Sequence, residues 1–186
     1  MGIMDKAKLL EKIGREIEEC QRCRKDSLGR AVVGEGNANA DVVFIGEAPG
    51  KEEAKTGRPF VGRSGQLLRQ LIRGIGLREE GVFITSPVKY LPKRGTPNKT
   101  QIEHGRSHLD KQLAVIEPEI LVLLGSVACQ GVLGQKLAIL SEHGRVVEKD
   151  GRKHLITLHP AAAIRFPKYK KLLLKDFQKL KNLIEK

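Results

Sequence analysis

Three short apolar runs punctuate the chain: DVVFIG (41–46), GVFITS (81–86) and EILVLLG (119–125), each bounded by Gly, Pro or acidic residues. They carry no alternation of apolar and polar positions, which predicts strands buried on both faces rather than strands with one wet face. Between them, residues 64–75 and a segment from near Thr100 to just before Pro118 place apolar residues at helical spacing. Thr100 and Glu103 stand three apart at the start of the second segment, as a capping box would. Alternation of strand and helix predicts an α/β fold, a parallel sheet with helices on both faces.

The flanks read differently. Met4, Leu9, Leu10, Ile13 and Ile17 lie on one face of a helix over residues 4–19, which ends at Cys20-x-x-Cys23. Residues 34–40 read as a loop. RVVEKDGRKHLITLHP (145–160) reads as a hairpin turning at Asp150-Gly151, and 168–186 as a basic amphipathic helix. There is no internal repeat and no linker long enough to divide the chain. One domain over 1–186 is expected, with residues 1–30 a helix and knuckle and 168–186 a C-terminal helix.

In such folds, ligands bind where the strands end at their carboxyl side, because helix N-termini offer unpaired N–H groups there. Gly46-Glu47-Ala48-Pro49-Gly50, Thr85-Ser86-Pro87, Gly125-Ser126 and His159-Pro160 occupy those ends. Charge narrows the partner: 34 Lys and Arg against 22 Asp and Glu give a net charge of +12, which favours a polyanion such as nucleic acid. No apolar run reaches the roughly 20 residues that cross a bilayer, and the charged N-terminus is unlike a signal peptide. A soluble, cytoplasmic monomer with no membrane partner is expected. Three cysteines, two of them spaced C-x-x-C, suit a metal site or a redox pair better than a disulfide framework.

The stretch GEAPGKEEAKTGRPFVGRSGQLL (46–68) resembles the first motif of the family 4 uracil-DNA glycosylases. The order continues with TSPVK (85–89), PEILVLLGSVA (118–128) and His159-Pro160-Ala161, so the resemblance runs from Cys20 to about Arg165. It implies a three-layer α/β/α sandwich around a four-stranded, mainly parallel sheet. It also implies a base-excision repair enzyme, a hydrolase that binds damaged DNA, flips out uracil and cuts its N-glycosidic bond. That chemistry needs a base pocket, a stabiliser for the anionic leaving base and access for water. The resemblance gives Phe60 as a stacking platform, His159 as hydrogen-bond donor to the pyrimidine O2, and Glu47 as the group orienting water or base. Gly46, Ala48, Gly50 and Ser86 complete the base pocket. Ser126 becomes a phosphate contact at a helix start, while Ile164 and Arg165, in an insertion loop over 161–167, become a wedge and a DNA contact.

The chain departs from that pattern in four places. Ser86 replaces the uracil-reading Asn, and one hydroxyl cannot make the amide's bidentate contact. Ala54 replaces an Asp expected at the pocket rim, and Arg94-Gly95-Thr96-Pro97 replaces an Asn-Arg-x-Pro turn. The family holds a four-iron four-sulfur cluster on four cysteines, of which only Cys20 and Cys23 remain. Tyr90 stands at the third position, His104 near the fourth, and His108 one helical turn later. Cys129 reads as a core residue. The four residues Cys20, Cys23, His104 and His108 suit Zn2+; a cluster with altered ligands and no metal at all are the alternatives. Three activities stay open: a uracil glycosylase, the same fold retuned to another deaminated base such as hypoxanthine, and a non-catalytic lesion-binding module.

Overall fold

The structure is a computed structural model and describes residues 5–185. In chain order the elements are α1 (Lys6–Glu19), α2 (Gln21–Arg24), β1 (Ser27–Leu28), β2 (Glu35–Gly36), β3 (Val42–Ile45), α3 (Lys51–Thr56), α4 (Arg63–Gly74), β4 (Phe83–Thr85) and β5 (Leu91–Pro92). They continue with α5 (Lys99–Ile116), β6 (Ile120–Leu124), α6 (Ser126–Leu133), α7 (Ile139–Glu142), β7 (Val146–Lys149), β8 (Arg152–Thr157), α8 (Pro160–Arg165) and α9 (Lys170–Ile184). No helix among the described residues is long and apolar enough to cross a membrane.

The three apolar runs become β3, β4 and β6, and β8 joins them to give four parallel strands in the order β4-β3-β6-β8. Two antiparallel edges extend this core to six strands. β2 pairs with β4 and β7 with β8. The sequence gives little sign of β2: a two-residue strand inside the expected 34–40 loop carries no periodicity of its own, and it exists by pairing with Ile84 and Phe83.

Period two explains why the central strands have no polar positions. Val42, Phe44, Ile120, Val122, Leu124 and Leu155 point to one face, where Leu68, Ile72, Leu173, Phe177 and Leu180 of α4 and α9 cover them. Val43, Ile45, Leu121, Leu123 and Ile156 point to the other, against Leu109, Leu113 and Ile116 of α5 and Ala128 and Cys129 of α6. Each strand therefore feeds two cores, and a polar residue on either side would be buried. Phe44 and Phe177 stack with ring centroids 5.9 Å apart, tying α9 to the sheet. This is the three-layer sandwich the sequence predicts.

The helix ends show one correction. The capping box of α5 is formed by Asn98 and Gln101, two residues before the Thr100–Glu103 pair. Asn98 Oδ1 accepts the Gln101 N–H and Gln101 Oε1 accepts the Asn98 N–H. Thr100 lies inside the helix, which begins at Lys99. At the N-terminus, Asp5 caps α1 by accepting the Ala7 N–H, and Ile13 and Ile17 are buried as expected. Met4 and Lys186, the ends of the two expected flanking helices, lie outside the described residues. The β7–β8 turn is Asp150-Gly151, both at positive φ, as a two-residue I′ turn demands.

β3 has β4 on one side and β6 on the other, so the chain reverses direction across the sheet at this strand. The switch point, where α/β sheets hold ligands, is thus the crevice beyond the carboxyl ends of β3 and β6.

Candidate active site

A cleft of about 300 Å³ opens beside that switch point, over the carboxyl ends of the strands, at the low end of volumes that enclose small ligands. Glu47, Ala48 and Gly50 come from the loop after β3, Phe60 from the loop between α3 and α4, Ser86 from the end of β4 and His159 from the start of α8. Six of the residues singled out in the sequence therefore share one cavity, drawn from four separate segments.

Phe60 is held in a left-handed backbone conformation, φ 51°, which is uncommon for a bulky residue and must be imposed by its surroundings. Two side chains impose it. The buried Glu53 carboxylate accepts the N–H groups of Val61 and Gly62 through Oε1 at 2.9 and 2.8 Å. Arg69 donates from Nε to the Phe60 carbonyl and from Nη2 to the Pro59 carbonyl, each at 3.1 Å. Arg69 is fixed in turn by Glu35 at 2.6 Å and Glu79 at 2.8 Å. A carboxylate grips the N–H groups after the aromatic residue and a guanidinium grips the carbonyls at and before it.

Glycines make room for the clamp. A Cβ at Gly65 would collide with the Phe60 backbone, and one at Gly46 would come within 2.6 Å of Phe60 Cζ. Gly46 is therefore packed behind the aromatic ring and does not line the cleft. Gly50 does line it, yet its missing Cβ makes space for Glu53 Oε2, which would lie 2.6 Å away.

His159 caps α8, its Nδ1 accepting the Ala161 N–H at 3.2 Å. A ring nitrogen that accepts cannot carry the proton, so the neutral imidazole bears it on Nε2. Burial pushes the pKa down to about 4, with Glu53 opposing weakly, so the ring is neutral at pH 7. His159 thus presents a neutral N–H donor. Its ring lies 5.7 Å from that of Phe60 at 28°, so the two form one wall. A Cβ at Gly125, φ 93°, would press on His159 Cβ at 3.2 Å, which makes that glycine part of the support.

Glu47 is half-buried, and desolvation raises its pKa above the ordinary carboxylate value. Ser86 is buried and its Oγ donates to the Val88 carbonyl at 2.8 Å. With the proton committed there, the hydroxyl oxygen offers the cleft only lone pairs.

The remaining expected contacts lie outside the cavity. Ser126 begins α6 behind Gly125 and does not line the cleft. The 161–167 segment is helical through Arg165 rather than a loop; Ile164 is half-buried, and Arg165 is exposed with its guanidinium 5.2 Å over the Phe166 ring. Phe166 itself is exposed and escaped notice in the sequence. Ala54 is buried against Gly29, whose Cβ would meet it at 2.7 Å, so position 54 faces away from the cleft and is not on its rim. Glu53 and Arg69 went unrecognised as a clamp because each reaches from a helix to backbone atoms eight to ten residues away, in the loop between α3 and α4.

A second cluster lies off the cleft. Cys20, at the junction of α1 and α2, and Cys23 of α2 meet His104 and His108 of α5, with one ligand atom from each lying within 4.8 Å of the others. Cys20 Sγ is 3.1 Å from His104 Nε2, and Sγ also accepts the Cys23 N–H at 3.4 Å. Both ring nitrogens of His108 are buried without a protein hydrogen bond, the one such side chain among the described residues. The four residues form a group that can hold a metal ion. Beside it, the fully buried Lys89 donates at 2.7 Å to Thr85 Oγ1 and to Gln112 Oε1, and burial pushes its pKa down to about 7. Cys129 is a buried core residue, as expected.

Known proteins resemble this chain over most of its length. Residues 33–181 match the model of the uracil DNA glycosylase superfamily. A type-4 uracil-DNA glycosylase of Sulfurisphaera tokodaii is 39% identical over 185 residues, covering 94% of this chain and 84% of the relative. Those of Thermotoga maritima and Archaeoglobus fulgidus are each 36% identical, covering 96% and 95% of this chain and 96% and 94% of their own lengths. The chain belongs to the uracil DNA glycosylase superfamily and, within it, to the type-4 group.

Proposed function

We propose that this chain is a DNA repair glycosylase that flips uracil from DNA and hydrolyses its N-glycosidic bond to leave an abasic site. The observation that carries the reading is the neutral His159, its proton held on Nε2, beside the ring of the clamped Phe60 in a cleft of about 300 Å³. The flipped base stacks on Phe60, recovering part of the stacking it loses on leaving the duplex. As the bond to C1′ breaks, its electron pair moves onto the base and gathers at O2, where His159 Nε2–H donates. A preformed neutral donor of this kind contributes about 2.7 kcal/mol or more to the transition state. Glu47 holds the attacking water; its raised pKa makes it a stronger proton acceptor than an exposed carboxylate. The water oxygen bonds to C1′ and its proton passes to Glu47.

Ser86 supplies the base reading. Its lone pairs face the base, so it accepts the N3–H that uracil carries and meets the bare N3 of cytosine with repulsion. One acceptor discriminates less than an amide that both donates and accepts. Hypoxanthine presents a comparable ring N–H, so the same oxygen favours a second, weaker substrate of that kind. The net charge of +12 supports DNA binding, with Ser126 and Arg165 at phosphates and Ile164 or its exposed neighbour Phe166 filling the gap left by the flipped base. One chain carries all these groups and acts as a monomer. The four residues Cys20, Cys23, His104 and His108 hold a metal that pins the N-terminal knuckle to α5.

The test is a panel of labelled oligonucleotides bearing uracil, hypoxanthine, xanthine or a T·G mismatch, incubated with protein and then treated with alkali. Excision of uracil fastest and of hypoxanthine slowly is expected. Binding without alkali-labile sites on any strand would replace the enzyme with a lesion-binding module.

A further inference from the structure

The family cluster and the donor group of this chain disagree, and the disagreement is geometric. Each ligand of a four-iron four-sulfur cluster binds a different iron, so it stands out from the centre by one metal–ligand bond plus the distance from that centre to its iron. Four ligands of one ion stand out by the bond alone. Bonds of 2.0–2.3 Å in a tetrahedron place neighbouring ligand atoms roughly 3.3–3.8 Å apart. Here one atom from each of the four residues falls within 4.8 Å of every other, and Cys20 Sγ and His104 Nε2 are 3.1 Å apart. There is room for an ion at the centre and none for a body of four irons and four sulfides.

The donor chemistry agrees with the geometry. The position where the resemblance places a third thiolate is Tyr90, whose hydroxyl accepts from Arg24 Nε and donates to the Glu18 carbonyl, each at 3.2 Å. That hydroxyl is committed to joining α1 to α2 and is not part of the donor group. The two imidazoles come from one face of α5, one turn apart, with ring centroids 5.6 Å apart and planes at 87°, so they converge edge to face. His108 is buried with both nitrogens unpartnered, an arrangement native cores avoid unless something else satisfies the ring.

We infer that Cys20, Cys23, His104 and His108 form a closed, tetrahedral structural site for a single zinc ion, in place of an iron-sulfur cluster. Two thiolates and two imidazoles are the ligand set of closed zinc sites, and four protein ligands leave no position for water or substrate. None of the four lines the cleft. The site nevertheless touches its support, because Cys23 and His104 border the same small cavity as Val88, whose carbonyl holds the Ser86 hydroxyl. Zinc therefore braces the base-reading segment without entering the reaction.

The experiment uses the full chain, expressed with both iron and zinc supplied and purified without air. The expected protein is colourless, with about one zinc per chain, neither iron nor sulfide, and zinc retained in a Cys129→Ser control. His108→Ala should lose most of the zinc. Should that variant fail to fold, exchange of the wild-type ion for Co2+ still decides: intense visible bands of tetrahedral cobalt with thiolate charge transfer are expected. Brown protein carrying iron and sulfide in near-equal amounts would overturn the inference in favour of a cluster. So would metal-free protein, a Cys20–Cys23 disulfide, or an octahedral cobalt spectrum. None of these results bears on uracil excision, so failure here leaves the glycosylase reading standing.

Discussion

Phe60, Ser86 and His159 reach the cleft already tied to the protein: the Phe60 loop by Glu53 and Arg69, Ser86 by the Val88 carbonyl, His159 by the Ala161 N–H. At the cysteine-histidine corner the reverse holds, because His108 is buried with both ring nitrogens unpaired. The cleft is complete without a ligand, whereas the corner, on the zinc reading, needs an ion to satisfy the His108 ring. Substitutions in the cleft should therefore cost chemistry and leave folding nearly intact. Changes at the corner should cost folding and touch chemistry only through Ser86.

The largest effect expected on the cleft side is that of His159→Ala. It removes the Nε2–H donor, and the loss should be about a hundredfold in turnover with far less change in DNA affinity. Single-turnover excision of uracil beside a binding titration on an uncleavable analogue measures both. Equal turnover would remove His159 from the reaction and erase the contrast between the two regions.

Glu53→Ala sharpens the same contrast from inside the cleft. The carboxylate makes no contribution to the reaction proposed here, but without it the N–H groups of Val61 and Gly62 lose their acceptor and Phe60 is free to leave φ 51°. About a tenfold fall in kcat/KM is expected, since each unsatisfied buried donor costs roughly 1–3 kcal/mol and the loop can relax part of that away. Glu53→Gln keeps an acceptor oxygen and should recover most of the loss. If Gln behaves like Ala, the negative charge near His159 matters and the clamp does not.

On the other side, stripping the metal with a chelator should lower Tm by several degrees while turnover well below Tm falls less than twofold. A loss of about 2 kcal/mol would move Tm by roughly 4–8 °C in a chain of this size. Calorimetry before and after chelation reads the first quantity and the alkali assay the second. A fall in turnover comparable with that of His159→Ala would mean that the corner takes part in catalysis.

How much of each region was legible in the sequence follows from the distance over which its contacts act. The central strands could be read because VVFI and ILVLL must be buried on both faces, and the cleft because strand ends are marked by Gly46, Ser86, Gly125 and His159. The convergence of Cys20 and Cys23 with His104 and His108, 84 residues on, was visible only as a spacing and a family position. The edge strand β2, the Asn98 cap and the Glu53–Arg69 clamp were not visible. β2 is two residues long and owes its existence to a partner, Asn98 competes with Thr100 on chemistry alone, and the clamp acts through backbone atoms that carry no sequence identity. The expectation of a carboxylate missing from the rim at Ala54 failed for the same reason. Motif position does not say which way a helical side chain points, and this one points at Gly29.

The effect that touches turnover least concerns acid, and it separates the two regions by linkage. His159 titrates near 6.5 in the unfolded chain and near 4 in the folded one, because burial disfavours the charged ring. Between those values the unfolded state binds the proton and the folded state does not. Stability contributed by this ring therefore rises with pH across the window, is lost as pH falls from about 6.5 towards 4, and changes no further below that. Glu47 acts in the opposite sense. Its folded pKa is raised, so the folded state holds the proton longer and this carboxyl lowers stability as pH rises from 4.5 through its folded value. Because the corner histidines are also shifted down by burial, the wild-type profile mixes the two regions. The difference between wild type and His159→Ala isolates the cleft: Tm of the variant should fall less steeply between pH 6.5 and 4, and the two curves should run parallel above pH 7. Parallel curves throughout would mean that His159 takes up its proton as readily in the fold as outside it, and the neutral donor on which the cleft chemistry rests would have to be abandoned.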